Sequence, residues 1–209
     1  MPIYNAPLAD MKFILNDVFN ADQFWQSNEN LAHVDSATAE AILEEMAKFA
    51  QNVTLPLNRT GDEEGATFSN GAVTTPAGFK EAFKQYAEGG WIGLAADEEW
   101  GGQGMPKMLT VLADEMLFAT NPSFMLYPLL SVGAGMALNS YASQEQKETY
   151  LPKIYSGEWS GTMCLTEPHA GTDLGIIKTK AERNEDGPYN ITGTKIFITG
   201  GDHDLAENI

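Results

Sequence analysis

The chain has one cysteine in 209 residues, which excludes an intrachain disulfide. Cys164 sits inside an apolar run and reads as a buried, inert thiol, a pattern that fits a reducing cytoplasm. Basic residues are scarce. Twelve Lys and Arg stand against 29 Asp and Glu, and the net charge of −17 excludes nucleic acid as a partner by repulsion. An anionic ligand would need local help against that field, and four of the 12 basic residues (Lys178, Lys180, Arg183 and Lys195) fall between positions 170 and 200. No basic segment followed by an apolar run opens the chain, so no secretory leader is read. The uncharged stretch Met116 to Gln144 lacks the continuity of a membrane span, because Asn121, Pro122, Pro128 and Asn139 interrupt it. It reads as two buried helices broken at Asn121-Pro122. Repeats and low-complexity tracts are also lacking.

What is present is enough apolar residue, 43%, for a sizeable core, and a period that changes once along the chain. Up to about residue 157 the period is helical. Leu8, Met11, Leu15, Val18 and Phe19 make one stripe on a first helix over 7–19. Residues 21–33 read as a connector or a short helix. Asp35 or Ser36 caps a second helix that Pro56 ends or kinks. Residues 60–71 read as a surface loop, whose Asp62-Glu63-Glu64 cluster is a solvated turn and not a metal site. Thr75-Pro76 reads as a helix start with Gly89-Gly90 as its stop. Gly101-Gly102-Gln103-Gly104 follows no buried strand and is a loop. Pro106 opens the next helix. Gly133, Ala134 and Gly135 leave a smooth surface where another backbone could pack, and Ser143-x-x-Gln146 is a capping box.

From residue 158 the period becomes 2. Ile176-Ile177 and Ile196 to Ile198 read as strand segments, residues 183–188 as a hairpin connection, and Thr192-Gly193 as the turn into a third strand. Phe197 and Thr199, two apart on a strand, would share a face. Gly171 lies among small and hydroxyl residues where backbone N–H groups could approach an anion. The expected class is α+β: an N-terminal all-helical domain, 1–157, and the first strands of an antiparallel β domain, 158–209. So few strands leave open edges, so the β domain is expected to be incomplete. His169 and His203 lack zinc-like companions, and no metal is expected; His33 reads as a surface residue.

The pair Thr166-Glu167-Pro168-His169-Ala170-Gly171-Thr172-Asp173 and Gly193-Thr194-Lys195-Ile196-Phe197-Ile198-Thr199 resembles the signatures of the FAD-dependent acyl-CoA dehydrogenases. The opening M-P-x-Y-x-A-P-L and the ending G-G-D-H-D-L-A-E-N-I are similar to the bacterial 3-methylmercaptopropionyl-CoA dehydrogenase-like subgroup. The resemblance covers essentially the whole chain but only the N-terminal part of the family. It implies FAD as cofactor, an acyl-CoA thioester as substrate, and a homo-oligomeric parent, dimer or tetramer. It also implies cofactor contacts residue by residue. Met163, Leu165 and Thr166 would meet the pyrimidine side of the flavin. Gly171 and Thr172 would face a phosphate or the pantetheine, with Thr172 also touching substrate. Phe197, Ile198 and Thr199 stand for the family's W-I-T triplet, Phe keeping a π-face and losing the indole donor. Gly200 stands where the family often has Asn. The family's base, a Glu, lies further C-terminal, so no residue here is assigned to it, and Glu167 reads as structural. The chain alone is expected to be inactive. An acyl-CoA oxidase or flavin monooxygenase on the same scaffold, and a non-catalytic interaction module, remain as alternatives.

Overall fold

A computed structural model describes residues 3–185 and 187–209. The helical part holds eight α-helices among the described residues: α1 (Leu8–Phe13), α2 (Ala21–Gln26), α3 (Ser36–Phe49), α4 (Leu55–Glu64), α5 (Phe79–Glu88), α6 (Lys107–Thr120), α7 (Pro122–Tyr141) and α8 (Gln144–Tyr155). The core is centred on Phe124, fully buried on α7, against the rings of Phe49, Phe79 and Tyr86 at centroid distances of 6.5, 5.8 and 6.2 Å. The break between α6 and α7 falls at Asn121, as expected. Its side chain accepts from the Phe124 N–H at 3.0 Å, capping α7, and donates to the Thr54 carbonyl at 3.2 Å. The Asp35 carboxylate caps α3 through the Thr38 N–H, and Ser143 and Gln146 form the expected capping box on α8.

Several helix boundaries differ from expectation, each for a local reason. The first helix gives way at Ile14–Val18 to a π turn. The extra residue per turn rotates the end of the helix, so Leu15 stays buried while Val18 and Phe19 leave the stripe and face solvent. Pro56 does not end its helix. A second π turn, Ala50–Thr54, joins α3 to α4, and Pro56 sits in the first turn of α4, where its missing N–H costs least. The 60–71 loop is instead the end of α4 and the start of a hairpin, β1 (Thr67–Ser69) with β2 (Ala72–Thr74), turned by Asn70 and Gly71 at φ 52° and 82°. Asn-Gly between strands is a strong hairpin signal. The next helix starts at Phe79, not at Thr75-Pro76, because the Asp204 carboxylate takes both the N–H and the hydroxyl of Thr75, at 3.0 and 2.7 Å.

After α8 the described residues hold one short antiparallel hairpin, an isolated antiparallel bridge at Glu167↔Ala170 and an isolated parallel bridge at Trp159↔Asn208. The expected hairpin is present as β3 (Lys180–Arg183) paired with β4 (Tyr189–Thr192) in the register Lys180↔Thr192 to Arg183↔Tyr189; position 186 of its connection lies outside the described residues. Ile176 is not in a strand but in a 3₁₀ turn, Leu174–Ile176, bracketed by the Asp173 carboxylate accepting from the Gly175 N–H. Nor do Ile196 to Ile198 form a third strand. Phe197 has φ 55°, in the left-handed region, which breaks the extended path. Phe197 and Thr199 therefore do not share a pleat face. The last residues return to the helical part. Leu205 enters the core, the Ser160 N–H donates to the Asn208 carbonyl, and the Glu207 N–H donates to that of Glu158.

Candidate functional site

The site is built on α7. Its 20 residues carry no charge, and Gly133, Ala134 and Ala137 keep one side of it low. The chain leaving α8 crosses that side closely enough that a Cβ at Gly161 would lie 2.5 Å from the Ala134 Cβ. The Gly161 N–H donates to the buried Ser131 hydroxyl at 3.1 Å, fixing the crossing. The expectation of a close backbone approach to the Gly133–Gly135 stretch thus holds, and Gly135 itself admits the Tyr155 ring. Beyond the crossing, Thr162, Met163, Cys164 and Leu165 run as an extended strap opposite α7. Strap and helix enclose a groove of about 600 Å³, lined on the α7 side by Leu129, Gly133 and Ala137 and also by Lys107 of α6. That volume lies within the usual range for small-molecule sites. Cys164 lines the groove and is exposed, correcting the buried-thiol expectation: α7 is too smooth and the strap too extended to cover it.

The second signature stretch lies against the strap in the opposite direction. The Thr162 hydroxyl donates to the Thr199 carbonyl at 2.6 Å, and the Ile196 N–H donates to the Thr166 carbonyl at 3.0 Å. Two segments about 30 residues apart are thereby held side by side. Met163, Leu165 and Phe197 are solvent-exposed apolar side chains at that junction. Among the described residues the backbone N–H groups of residues 162–166 find no protein partner, leaving a line of donors along the strap. An open edge of amide donors beside apolar side chains fits a flat, hydrogen-bonding heteroaromatic ring. Gly171 and Thr172 are different. They lie on an exposed bend beyond Ala170 and do not line the groove. Gly171 has no positive φ, and a Cβ there would meet nothing within 4 Å.

Glu167 ties the junction together. Its side chain is almost wholly enclosed and accepts from the Lys178 N–H (2.8 Å), the Thr179 N–H (3.0 Å), the Thr179 hydroxyl and the Lys195 ammonium (2.9 Å). The Thr179 hydroxyl foremost, then the Lys178 N–H and the Lys195 ammonium, hold the carboxyl far below the usual carboxylate range. Lys195 also donates to the Leu165 carbonyl at 3.1 Å, so it is a clamp between the two stretches and not a free cation. Sequence reasoning grouped Lys195 with the other basic residues. The other three, Lys178, Lys180 and Arg183, have exposed side chains.

Both histidines of the region have protein partners. His169 Nε2 donates to the Ile176 carbonyl at 3.1 Å. His203 is buried edge-on against Tyr127, and its Nδ1 accepts from the Leu205 N–H at 3.2 Å. The proton is then on Nε2, which donates to the Ser160 hydroxyl at 3.0 Å. A histidine that donates to a serine cannot take its proton, so the pair is a structural link and not a nucleophile with its base. Among the described residues no group of three His, Cys, Asp or Glu could hold a metal ion. Nor is any described helix long and apolar enough to cross a membrane.

Residues 36–158 match the family model of the acyl-CoA dehydrogenase N-terminal domain. The chain is 42% identical over 206 residues, 99% of its length and 35% of the relative's, to a 3-methylmercaptopropionyl-CoA dehydrogenase of Ruegeria pomeroyi. It is 36% identical, over 99% of its length and 34% of the relative's, to a butyryl-CoA dehydrogenase of Syntrophomonas wolfei. The structure of an acyl-CoA dehydrogenase of Bacillus anthracis in complex with FAD matches 81% of this chain and 27% of that one, with 26% identity and a TM-score of 0.66. The chain spans about a third of the length of the curated relatives it matches.

Proposed function

The chain belongs to the acyl-CoA dehydrogenase family, and we propose that it supplies the helical domain and one wall of the flavin site of an enzyme that oxidises acyl-CoA thioesters between Cα and Cβ. The observation that carries this reading is the antiparallel junction of the two signature stretches at the mouth of the groove on α7. When bound there, FAD would supply the acceptor for the substrate's β-hydride. The strap backbone at Met163 and Leu165 and the Thr166 hydroxyl would bond the ring edge. Phe197 would lie against the ring beside Ile198, and the Thr199 hydroxyl would donate to it. The low side of α7 would take the acyl chain and keep water from it. The exposed bend at Gly171 and Thr172 would face the phosphate or pantetheine part of the ligands.

The α-proton needs a carboxylate base, and Glu167 is unsuited to it, because its lone pairs are engaged and its carboxyl is too acidic to accept a proton near neutrality. As the family resemblance implies, the base would lie outside this chain's residues, in an enzyme divided near residue 157, assembled as a homo-oligomer and working in the cytoplasm. The test is anaerobic titration of the native-length protein with an acyl-CoA series. Loss of the oxidised-flavin absorbance, with one enoyl-CoA formed per flavin, is expected. A protein that purifies without flavin and cannot be reconstituted with FAD would overturn the reading. Fast reoxidation of the reduced protein by oxygen would instead favour an oxidase.

A further inference from the structure

Residues 158–162 lead into the strap, and residues 199–208 follow the second signature stretch. The two segments are bound to each other along a seam. The Glu207 N–H donates to the Glu158 carbonyl at 3.0 Å and the Ser160 N–H to the Asn208 carbonyl at 2.8 Å. The Thr162 hydroxyl donates to the Thr199 carbonyl at 2.6 Å. Between these bonds the His203 ring reaches the Ser160 hydroxyl at 3.0 Å, and both residues are buried. Gly161, in the middle of the first segment, is itself pinned to α7 through Ser131. In the second segment Gly200, at φ 62°, turns the chain past Tyr127 between Thr199 and His203. The hold on Thr199 is thus continuous with the hold on His203.

The ring fits this seam in one protonation state. Its Nδ1 accepts from the Leu205 N–H at 3.2 Å, and Leu205 enters the core. A proton on Nδ1 would set two donors against each other, and the contact would have to open. The titratable groups that face the ring are Asp202 and Asp204 of its own segment and Tyr127, edge-on from α7; the strap side presents the neutral Ser160. Asp204 is already engaged by the N–H and hydroxyl of Thr75. Burial outweighs the two carboxylates and favours the neutral ring. We propose that His203 is a positioning residue for the flavin edge: its neutral ring holds residues 199–208 against 158–162, and so fixes Thr199 beside the strap, and protonation of the ring slackens that hold. Proton and FAD then oppose each other's binding. This rests on the flavin reading of the edge.

The test is the dissociation constant of FAD from the native-length protein between pH 7.5 and 5, read from flavin fluorescence. Affinity is expected to be constant above about pH 7 and about two- to tenfold weaker at pH 5, as for the loss of one hydrogen bond. His203→Gln keeps a donor for Ser160, and His203→Asn keeps an acceptor for the Leu205 N–H. Neither titrates, and either should flatten the profile. Thr75→Val, which loosens the same segment at Asp204 without touching the ring, should keep the slope even where it weakens binding overall. A flat profile in the parent, or a slope that survives in His203→Gln and His203→Asn, would overturn the proposal. Should neither variant fold, the parent decides by NMR titration of the ring. Linked binding is reciprocal, so FAD must weaken the proton's hold on His203 by the same two- to tenfold, and an unmoved midpoint would overturn the proposal. A parent that binds no FAD at any pH would sink the flavin reading together with this one, whereas flat binding leaves the flavin reading standing.

Discussion

Gly161 is the point at which the site depends on a missing methyl group. Gly161→Ala would place a Cβ 2.5 Å from the Ala134 Cβ and 3.3 Å from the Leu130 carbonyl oxygen. Neither neighbour is the free end of a flexible side chain, so the strap must lift from α7 or α7 must bend. Overpacking by one methyl group at such a contact costs about 1–3 kcal/mol. A chain of this size loses roughly 2–4 °C of Tm per kcal/mol. A cost of about 2 kcal/mol therefore corresponds to roughly 4–8 °C. Ala134→Gly alone removes good helix propensity and should cost about 1 kcal/mol. Together the two changes remove the worst contact, and the double variant should recover about 1–2 kcal/mol relative to additivity. Urea denaturation of the four proteins gives this cycle from the midpoints, provided the slope is unchanged. If Gly161→Ala lies within about 0.5 kcal/mol of the parent, or the cycle is additive, the close crossing of strap and helix is wrong.

The half-buried Asp114 and the buried His203 have opposite pH signatures. Burial, only partly offset by Lys107, raises Asp114 to about 6, so the unfolded chain gives up this proton first. Its contribution is fully present below about pH 4 and is lost as pH rises through about 6. Asp114→Asn should therefore stabilise by about 1–2 kcal/mol at pH 7, after allowance for solvent screening of a half-buried site, and do nothing at pH 4. For His203, burial outweighs Asp204 and Asp202 and lowers the ring below its usual value. The unfolded chain then binds the proton more readily, so stability falls as pH drops below about 6.5. Protonation also ends the Nδ1 bond from the Leu205 N–H. Thermal melts between pH 7.5 and 5 should show this loss in the parent and not in His203→Gln; an unchanged slope in the variant would assign it to other groups.

Most of the helical part is legible in the sequence because its signals are local: the Asn121-Pro122 break, the Asp35 cap of α3 and the Ser143 capping box. The misreadings share a cause, a local rule overridden by something distant or by one inserted residue. Thr75 looks like a helix cap but is claimed by Asp204, 129 residues away. Pro56 looks like a stop but is absorbed by the π turn before it. At Asn70-Gly71 a readable hairpin signal is hidden by the loop-like composition around it. In the β part, alternation at Ile196 to Ile198 suggests a strand. A strand exists only where a neighbour accepts its ladder, and among the described residues that neighbour is one backbone bond to Thr166. The signatures locate Met163, Leu165 and Thr166 beside Phe197 to Thr199. They do not reveal the opposite wall, although Gly133 and Ala134 read as smooth, nor Lys195 as the clamp on Glu167. Those are pairings across elements, which no single stretch encodes.

The central claim is that the two signature stretches form one flavin-binding edge. It is tested most directly by the FAD dissociation constant of native-length protein carrying Thr166→Val, Thr199→Val or Phe197→Ala, read from flavin fluorescence. Val keeps the shape of Thr and removes one hydrogen bond, worth about 0.5–1.5 kcal/mol, or roughly two- to tenfold in affinity. Loss of the aromatic face should weaken binding by at least as much, and Phe13→Ala, on an exposed face of α1 far from the groove in sequence, should leave it unchanged. Dissociation constants for Thr166→Val, Thr199→Val and Phe197→Ala all equal to that of the parent would contradict the assignment of the edge to flavin.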